Sequence, residues 1–201
     1  MGINKKIILA SGSPRRIEIM HQHGFDPVVH PADVDENIPS YRNVREVPMY
    51  LALKKALHVL METAEDDGII IAADTIVYNG DPWGDGEIMG KPADPDDGFR
   101  MLSELRGGHH LVITGVCLVD IRHGIKKVFC DTTEVWFTDY SDEELRAYLE
   151  TPEAYDKAGG YAIQGTFGKY ISKIDGSYDN VIGFPWTKIQ SELNLLQEVL
   201  L

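Results

Sequence analysis

The chain has 201 residues, of which 43% are hydrophobic and 25% are charged, a composition typical of a soluble globular protein with a substantial core. Its formal net charge of -13 at pH 7 argues against nonspecific binding to nucleic acid or to acidic membranes. No apolar run is long enough to span a membrane and the N-terminus lacks a signal-peptide pattern, so we expect a cytoplasmic protein without a membrane partner.

The N-terminal half predicts strands and helices separated by polar loops. An apolar run predicts a strand near residues 6–10, and a helix over 14–23 follows it, with Ser13 as the N-cap. Apolar residues spaced by three and four positions predict a longer helix from Pro48 to about Ala64. The other elements predicted here are an extended segment at 26–32, a strand from Gly68 to Tyr78, and a hairpin that turns at Asn79–Gly86 and returns through Glu87–Met89.

The C-terminal half predicts helices with clear start signals and further strands. Asp94 begins a helix that ends at Gly107 and Gly108, and Ser141 is the N-cap of a second helix over 142–150. The remaining predictions are strands near 110–121, 126–138 and 169–174, a loop of small residues at 151–168, and a final helix at about 186–198. Because strands and helices mix without strict alternation, we expect a mixed α/β or α+β fold with a mixed sheet.

The segment Ser11–Arg16 has the features of an anion site. It follows a predicted buried strand and opens a helix, whose first-turn N–H groups attract anions. Arg15 and Arg16 occupy that first turn, where the helix dipole disfavours cations. Arginine recognises phosphate well, so the segment predicts a site for a phosphate chain. The alternative is a surface helix start with two solvated arginines.

Two carboxylate positions are candidates for the chemistry of the site. Asp74 ends the apolar run Ile69–Ala73, and a carboxylate in such a strand is costly unless it is paired or binds a metal. The alternative is a core aspartate that accepts hydrogen bonds from a helix terminus. Glu36 ends an acidic loop that includes Asp33 and Asp35, and the loop is either solvated or helps to hold magnesium near a phosphate.

The remaining polar candidates give weaker local signals. Lys55 lies on the polar flank of a predicted helix and Lys91 lies in a Gly-Lys-Pro turn, and the local signal favours an ordinary surface lysine at each position. Gln164 is an amide in a loop rich in glycine, a composition that can bring a ligand close to the backbone. His109 and His110 lack partners at metal spacing and are interpreted as structural, and the two cysteines are interpreted as reduced core residues, although a cross-strand disulfide is possible.

Several short motifs follow one another along almost the whole chain. They are Leu9–Arg16, Asp35–Glu36, Leu51–Ala56, Ala73–Thr75, Gly90–Pro92, Thr114–Val116, Asp156–Gly165 and Val181–Pro185. In this order they resemble the Maf family of nucleoside triphosphate pyrophosphatases. The form of the loop that contains Gln164 resembles the branch of the family that acts on dTTP and UTP.

The resemblance implies a fold, a reaction and a set of partners. The fold is a single domain over residues 1–201, with an elongated, curved mixed sheet, flanking helices and two lobes around a cleft, similar to inosine triphosphatase. The reaction is cleavage of a nucleoside triphosphate to the monophosphate and pyrophosphate with a divalent cation, Mg²⁺ or Mn²⁺. A homodimer in the cytoplasm, with no nucleic-acid partner, is expected.

The resemblance also assigns roles to individual residues. It implies that Asp74 is catalytic and that Glu36 and Asp74 hold the metal. It implies that substrate and phosphates are bound by Ser11, Arg15, Arg16, Lys55 and Lys91, and that the base is selected by Arg16, Thr75 and Gln164.

One departure and two alternatives remain open at this point. The link between Asp74 and Lys91 contains the extra segment Asn79–Gly86, which would lengthen a hairpin tip and affect substrate choice if it folds over the cleft. One alternative function is pyrophosphate release from another or a modified nucleotide. The other is a nucleotide-binding regulator of cell division with little catalysis.

Overall fold

The computed structural model describes residues 5–38, 40 and 43–198, which form a mixed sheet with flanking helices. The strands are β1 (Ile7–Leu9), β2 (Val28–Val29), β3 (Ile69–Gly80), β4 (Gly86–Met89), β5 (His109–Asp120), β6 (Ile125–Phe137) and β7 (Ile171–Asp175). The helices are α1 (Pro14–Gln22), α2 (Glu46–Glu62), α3 (Pro95–Leu105), α4 (Asp142–Leu149), α5 (Tyr178–Val181) and α6 (Trp186–Glu198). None of the helices in this part of the chain is both long and apolar enough to cross a membrane.

The sheet confirms the predicted mixed α/β fold. Its strand order is β2-β1-β3-β5-β6-β7, with β4 paired to β3 outside this path. β1 is parallel to both β2 and β3, whereas the β3–β4 and β6–β7 pairs are antiparallel. The predicted hairpin is confirmed, because Gly80 pairs with Gly86 across its turn.

The chain divides into two compact units. Unit 1 contains Met1–Asp74, Thr114–Asp131 and Gly183–Leu201. Its core lies between α2 and the apolar strands β1, β3 and β5, and small side chains such as Ala52 and Ala56 bring the helix close to the sheet.

A glycine in β5 also permits the close packing of α2. A Cβ at Gly115 would lie 2.2 Å from the Pro48 carbonyl carbon and 2.3 Å from the Met49 amide nitrogen. The Thr114–Val116 motif therefore includes a packing requirement, since any side chain at its centre would push against the start of α2.

Unit 2 contains Thr75–Ile113 and Thr132–Ile182. Its core lies between α3, α4 and those parts of β3, β5 and β6 that belong to unit 2. This core is rich in aromatic side chains. Phe137, Tyr140, Phe167 and Tyr170 contact one another with ring centroids between 4.9 and 6.1 Å apart. The segment predicted as a loop at 151–168 contains 3-10 turns at Pro152–Asp156, Ala158–Gly160 and Thr166–Tyr170.

One predicted boundary needs correction, and one helix was not predicted. α2 begins at Glu46 rather than at Pro48, because a proline is tolerated in the first turn, where its missing N–H has no helical partner. The short helix α5 was not predicted; Ser177 caps it by accepting a hydrogen bond from the Asn180 amide at 3.2 Å. Cys117 and Cys130 are free thiols, which agrees with the interpretation of both as reduced.

Candidate active site

The Ser11–Arg16 segment joins β1 to α1 in unit 1. Ser13 is at the N-cap position, but its side chain makes no capping hydrogen bond, contrary to the sequence prediction. Instead, the buried Ser11 hydroxyl accepts a hydrogen bond from the Ser13 amide at 3.3 Å. This bond holds the turn in shape and leaves the start of α1 without a side-chain cap.

Arg16 is fixed by three separate parts of unit 1. Its Nε donates to the Gly183 carbonyl at 2.9 Å, and its Nη1 donates to the Ala73 carbonyl at 2.7 Å and to the Ser11 hydroxyl at 3.1 Å. Burial lowers the pKa of the guanidinium, while the carboxylate of Asp74 counteracts this effect. Arg16 therefore connects the helix start, the β3 strand and the Gly183 segment beside Asp74.

Arg15 has a different environment from its neighbour. It is half-buried and makes no hydrogen bond or ion pair with the described part of the chain, although its charge acts on Arg16. Its guanidinium can therefore meet an anion without breaking a contact within that part of the protein.

A charged cluster in unit 1 consists of Asp74, Lys55 and Glu36. Lys55 Nζ lies 2.6 Å from Asp74 Oδ1 and 2.7 Å from Glu36 Oε1. The side chains of Lys55 and Asp74 are 14% and 11% exposed, whereas that of Glu36 is 60% exposed. One ammonium thus joins a buried carboxylate to a carboxylate that faces solvent.

Burial dominates the acidity of Asp74. It raises the pKa of this carboxyl above its ordinary value, and the Lys55 and Arg16 cations oppose the rise only in part, while Glu36 adds to it. A carboxylate with a raised pKa is a stronger base than an ordinary aspartate. The structure therefore gives Asp74 the environment of a proton acceptor.

The acidic loop is anchored to α2 by adjacent lysines. Lys54 Nζ donates to the Asp35 carbonyl, next to the bond between Lys55 and Glu36. Within the loop, the Asp35 side chain accepts hydrogen bonds from the Asn37 amide at 3.1 Å and from its side chain at 2.8 Å. The loop is thereby held with Glu36 directed to the cluster, and Asp35 is used internally.

The donor set of the cluster suits a hard divalent cation. Two carboxylate oxygens already converge on a single positive charge, and magnesium commonly takes one or two carboxylates while water and phosphate oxygens complete its shell. Within the residues that the structure describes, no group of three His, Cys, Asp or Glu side chains forms a complete metal site. The residues present therefore offer two carboxylate ligands to a divalent cation, and further oxygen ligands would have to complete its shell.

Three predicted site residues lie in unit 2. Thr75 directly follows Asp74 in β3 and is half-buried, whereas Lys91 and Gln164 are exposed, Lys91 shortly after β4 and Gln164 in a turn. The segments that carry the last two are connected, because the Gly159 amide donates to the Gly90 carbonyl at 3.0 Å. Gly159 has a φ of +75°, a conformation that glycine adopts without strain.

The segment with Gln164 has a buried anchor that the sequence analysis missed. His110 Nε2 and the Tyr161 hydroxyl are 2.7 Å apart, and both side chains are buried. Burial lowers the pKa of His110 to about 3, so the imidazole is neutral. This agrees with the interpretation of His110 as structural, but its pairing with Tyr161 depends on residues 51 positions apart and has no local sequence signal.

The structure therefore brings together five of the predicted site residues, Ser11, Arg16, Glu36, Lys55 and Asp74, within unit 1. The carbonyl groups of Ala73 and Gly183, which hold Arg16, were not predicted. Backbone acceptors carry no side-chain signature, although both residues lie in motifs noted in the sequence.

Comparison with known proteins gives matches over nearly the full length. A sequence profile of the family described as Maf-like protein matches residues 6–196. The dTTP/UTP pyrophosphatase of Caldicellulosiruptor bescii is 40% identical over 96% of this chain and 95% of its own. Proteins with the same name from Alkaliphilus oremlandii and Phocaeicola vulgatus are each 42% identical, covering 92% and 95% of this chain and 93% and 96% of their own.

Proposed function

This chain belongs to the Maf-like protein family, and from that membership we propose that it hydrolyses dTTP and UTP to the nucleoside monophosphate and pyrophosphate. The observation that carries the proposal is the charged cluster: a buried carboxylate with a raised pKa, beside a fixed arginine and a lysine. If this cluster were incomplete, the names of the relatives would not by themselves distinguish an enzyme from a nucleotide-binding protein.

Each residue of the cluster has a task in this reaction. Asp74 takes a proton from a water molecule, and the water oxygen attacks the α-phosphorus. The new P–O bond replaces the bond to the oxygen that bridges the α- and β-phosphates, and pyrophosphate leaves. Arg15, the Ser11 segment and the Lys55 ammonium offset the negative charge of the phosphate chain, since phosphoryl transfer depends mainly on positioning and electrostatic stabilisation.

A divalent cation, Mg²⁺ or Mn²⁺, completes the proposed site. Glu36 and Asp74 would hold it, because one oxygen of each carboxylate already contacts the same positive charge, the Lys55 ammonium. When bound, it would neutralise charge on the triphosphate.

Base choice is assigned to Gln164 and Thr75 in unit 2, with Arg16 as a further contributor. The edge of uracil or thymine offers a carbonyl, an N–H and a second carbonyl, and a glutamine amide provides both a donor and an acceptor. Cytosine reverses one of these positions and leaves a polar group unpaired, at a cost of about 1–3 kcal/mol. Lys91 would contact phosphate. It follows Gly90, whose carbonyl accepts a hydrogen bond from the Gly159 amide in the segment that carries Gln164.

A direct assay tests the reaction and the base together. The protein is incubated with dTTP, UTP, CTP or GTP and Mg²⁺, and the products are separated by chromatography. We expect monophosphate and pyrophosphate in equal amounts, with kcat/KM for UTP and dTTP at least about tenfold above that for CTP. Orthophosphate as the product would exclude this function, whereas binding without any hydrolysis would exclude it and favour the nucleotide-binding regulator.

We further propose a cytoplasmic homodimer without nucleic-acid partners. The net charge of -13 supports the last point, because nucleic acid repels an acidic surface. Sedimentation equilibrium should give a mass of twice 22.5 kDa, and a monomer mass would contradict the dimer.

A further inference from the structure

Lys55 is already engaged with the chain's own anions. A lysine whose only task is to bind phosphate would be expected to be exposed to solvent. Lys91 is such an exposed lysine. Lys55 Nζ instead makes close contacts with Asp74 Oδ1 and Glu36 Oε1 at 2.6 and 2.7 Å, and its side chain is only 14% exposed. It therefore offsets part of the negative charge of the two carboxylates that are assigned to the divalent cation.

The ammonium and a divalent cation compete for the same two carboxylates. Magnesium binds carboxylate oxygen at about 2.1 Å, and a second cation beside the same carboxylate groups repels it. Binding of the metal is therefore favoured when the ammonium moves away. The side chain has the rotatable bonds to do so, since lysine is a compact charge on a flexible stem.

We propose that Lys55 is an internal counter-cation, which balances Glu36 and Asp74 until a divalent cation displaces it and frees its ammonium for the phosphates of the substrate. The inference rests on the proposed function for the identity of that substrate. It assigns to Lys55 a second task beyond phosphate contact: it weakens metal binding when no nucleotide is present, and it couples binding of the metal to binding of the nucleotide.

The test measures Mn²⁺ affinity in the full-length protein without nucleotide, by electron paramagnetic resonance of free Mn²⁺. Lys55→Met removes the competing cation, and we expect the dissociation constant for Mn²⁺ to fall at least about tenfold, the smaller effect of a close charge on cation binding to a carboxylate. Lys126→Met is the matched control. It removes the same charge from an exposed position outside the cluster, where the ammonium contacts the Gly124 backbone carbonyl at 3.2 Å, and we expect a change below about threefold.

Two further variants separate displacement from misfolding. Lys55→Gln keeps a hydrogen-bond donor beside the carboxylates and should also bind Mn²⁺ more tightly than the wild type. Adding Asp74→Asn to Lys55→Met should abolish the gain, because one of the two carboxylates is then lost. Circular dichroism and thermal melting of each variant establish that the titrated protein is folded.

The outcomes decide the proposal independently of catalysis. An unchanged Mn²⁺ dissociation constant in both Lys55 variants overturns it, as does an equal gain in Lys126→Met or the absence of Mn²⁺ binding in all of them. If the wild type releases no pyrophosphate, the proposed function fails, but the Mn²⁺ titration still decides whether Lys55 competes with a metal. A non-hydrolysable UTP analogue provides a second readout, since it should tighten Mn²⁺ binding more in the wild type than in Lys55→Met.

Discussion

The two neighbouring arginines of α1 have unequal roles. Arg16 donates to the carbonyls of Gly183 and Ala73 and to the Ser11 hydroxyl, whereas Arg15 makes no hydrogen bond with the described residues. The resemblance assigned both residues to the substrate and Arg16 also to the choice of base. The structure gives Arg16 the additional task of holding the turn around Ser11.

Replacement of each arginine by lysine should expose this difference. Lysine keeps the charge but not the planar fork of donors, so Arg16→Lys should lower the free energy of unfolding by about 2 kcal/mol, the contribution of hydrogen bonds to a charged group. Arg15→Lys is the matched control and should stay within about 0.5 kcal/mol of the wild type. Urea unfolding measures both, and equal destabilisation by the two substitutions would contradict the distinct role of Arg16.

Asp74 is the residue on which the proposed chemistry depends most. Asp74→Asn keeps the shape and one acceptor but removes the proton acceptor and its charge, so we expect kcat to fall at least about 100-fold. The exposed Asp66 provides the control, because Asp66→Asn removes the same formal charge from a position outside the cluster. Pyrophosphate release and circular dichroism are measured on both, and a folded Asp74→Asn protein with near-normal turnover would show that another group accepts the proton.

At the scale of elements, the packing of α2 on β5 positions Lys55. Gly115→Ala would place a Cβ against the backbone at the start of α2, and we expect a loss of about 1–3 kcal/mol in unfolding free energy. The catalytic rate should fall as well, since α2 carries the lysine of the cluster. Gly108→Ala is the control, because its Cβ would meet nothing closer than 3.7 Å, and it should leave both quantities near the wild-type values.

A second connection between elements lies at the ends of β1, β3 and β5. The side chain of Asp120 is fully buried and binds Lys5 Nζ at 2.7 Å and the His123 amide at 2.9 Å. Burial acts to raise the pKa of Asp120, but the hydrogen bonds from Lys5 and His123 outweigh it, so that the pKa lies below its ordinary value of 3.8. The folded state therefore holds the ionised form more favourably than the unfolded chain does.

The sign of this shift predicts a pH dependence. The contribution of Asp120 is complete above the unfolded pKa and is lost as the pH falls through the lower, folded pKa. Asp120→Asn should therefore reduce the unfolding free energy by about 2 kcal/mol at neutral pH, and the gap to the wild type should narrow progressively as the pH falls below about 5. Urea unfolding over this range measures it, and a gap independent of pH would mean that the charge is not responsible.

The sequence predicted the elements better than their contacts. β3, α3, α4 and α6 lie within about two residues of their predicted bounds, because periodicity and caps are local signals. The start of α2 was misplaced because a proline is allowed at more than one position of a first turn, and the need for glycine at position 115 was invisible because it depends on Pro48. Likewise, the motifs indicated Lys55 and Asp74 separately, but their ion pair and its extension to Glu36 require the folded chain.

At the scale of the whole molecule, the two units are interleaved along the sequence. The chain passes from one unit to the other after Asp74, Ile113, Asp131 and Ile182. The first three of these residues lie within β3, β5 and β6 respectively, so each of these strands has residues in both units. The proposed roles are divided between the same two units. The residues of the reaction, Asp74, Lys55 and Glu36, lie in unit 1, and Gln164, proposed to select the base, lies in unit 2. A continuous piece of sequence that contains one complete unit also contains part of the other.

This interleaving predicts that the protein unfolds in one cooperative transition. Melting of one unit would disorder the strands that it shares with the other, so no partly folded state should be populated. Trp186 reports on unit 1 and Trp136 on unit 2, and each can be made the sole tryptophan by replacing the other two with phenylalanine. In each variant the urea midpoint from fluorescence should agree with that from far-ultraviolet circular dichroism within about 0.3 M, close to the precision of such data. If fluorescence of Trp136 changes at a clearly lower urea concentration than the circular dichroism of the same variant, unit 2 unfolds by itself despite the shared strands.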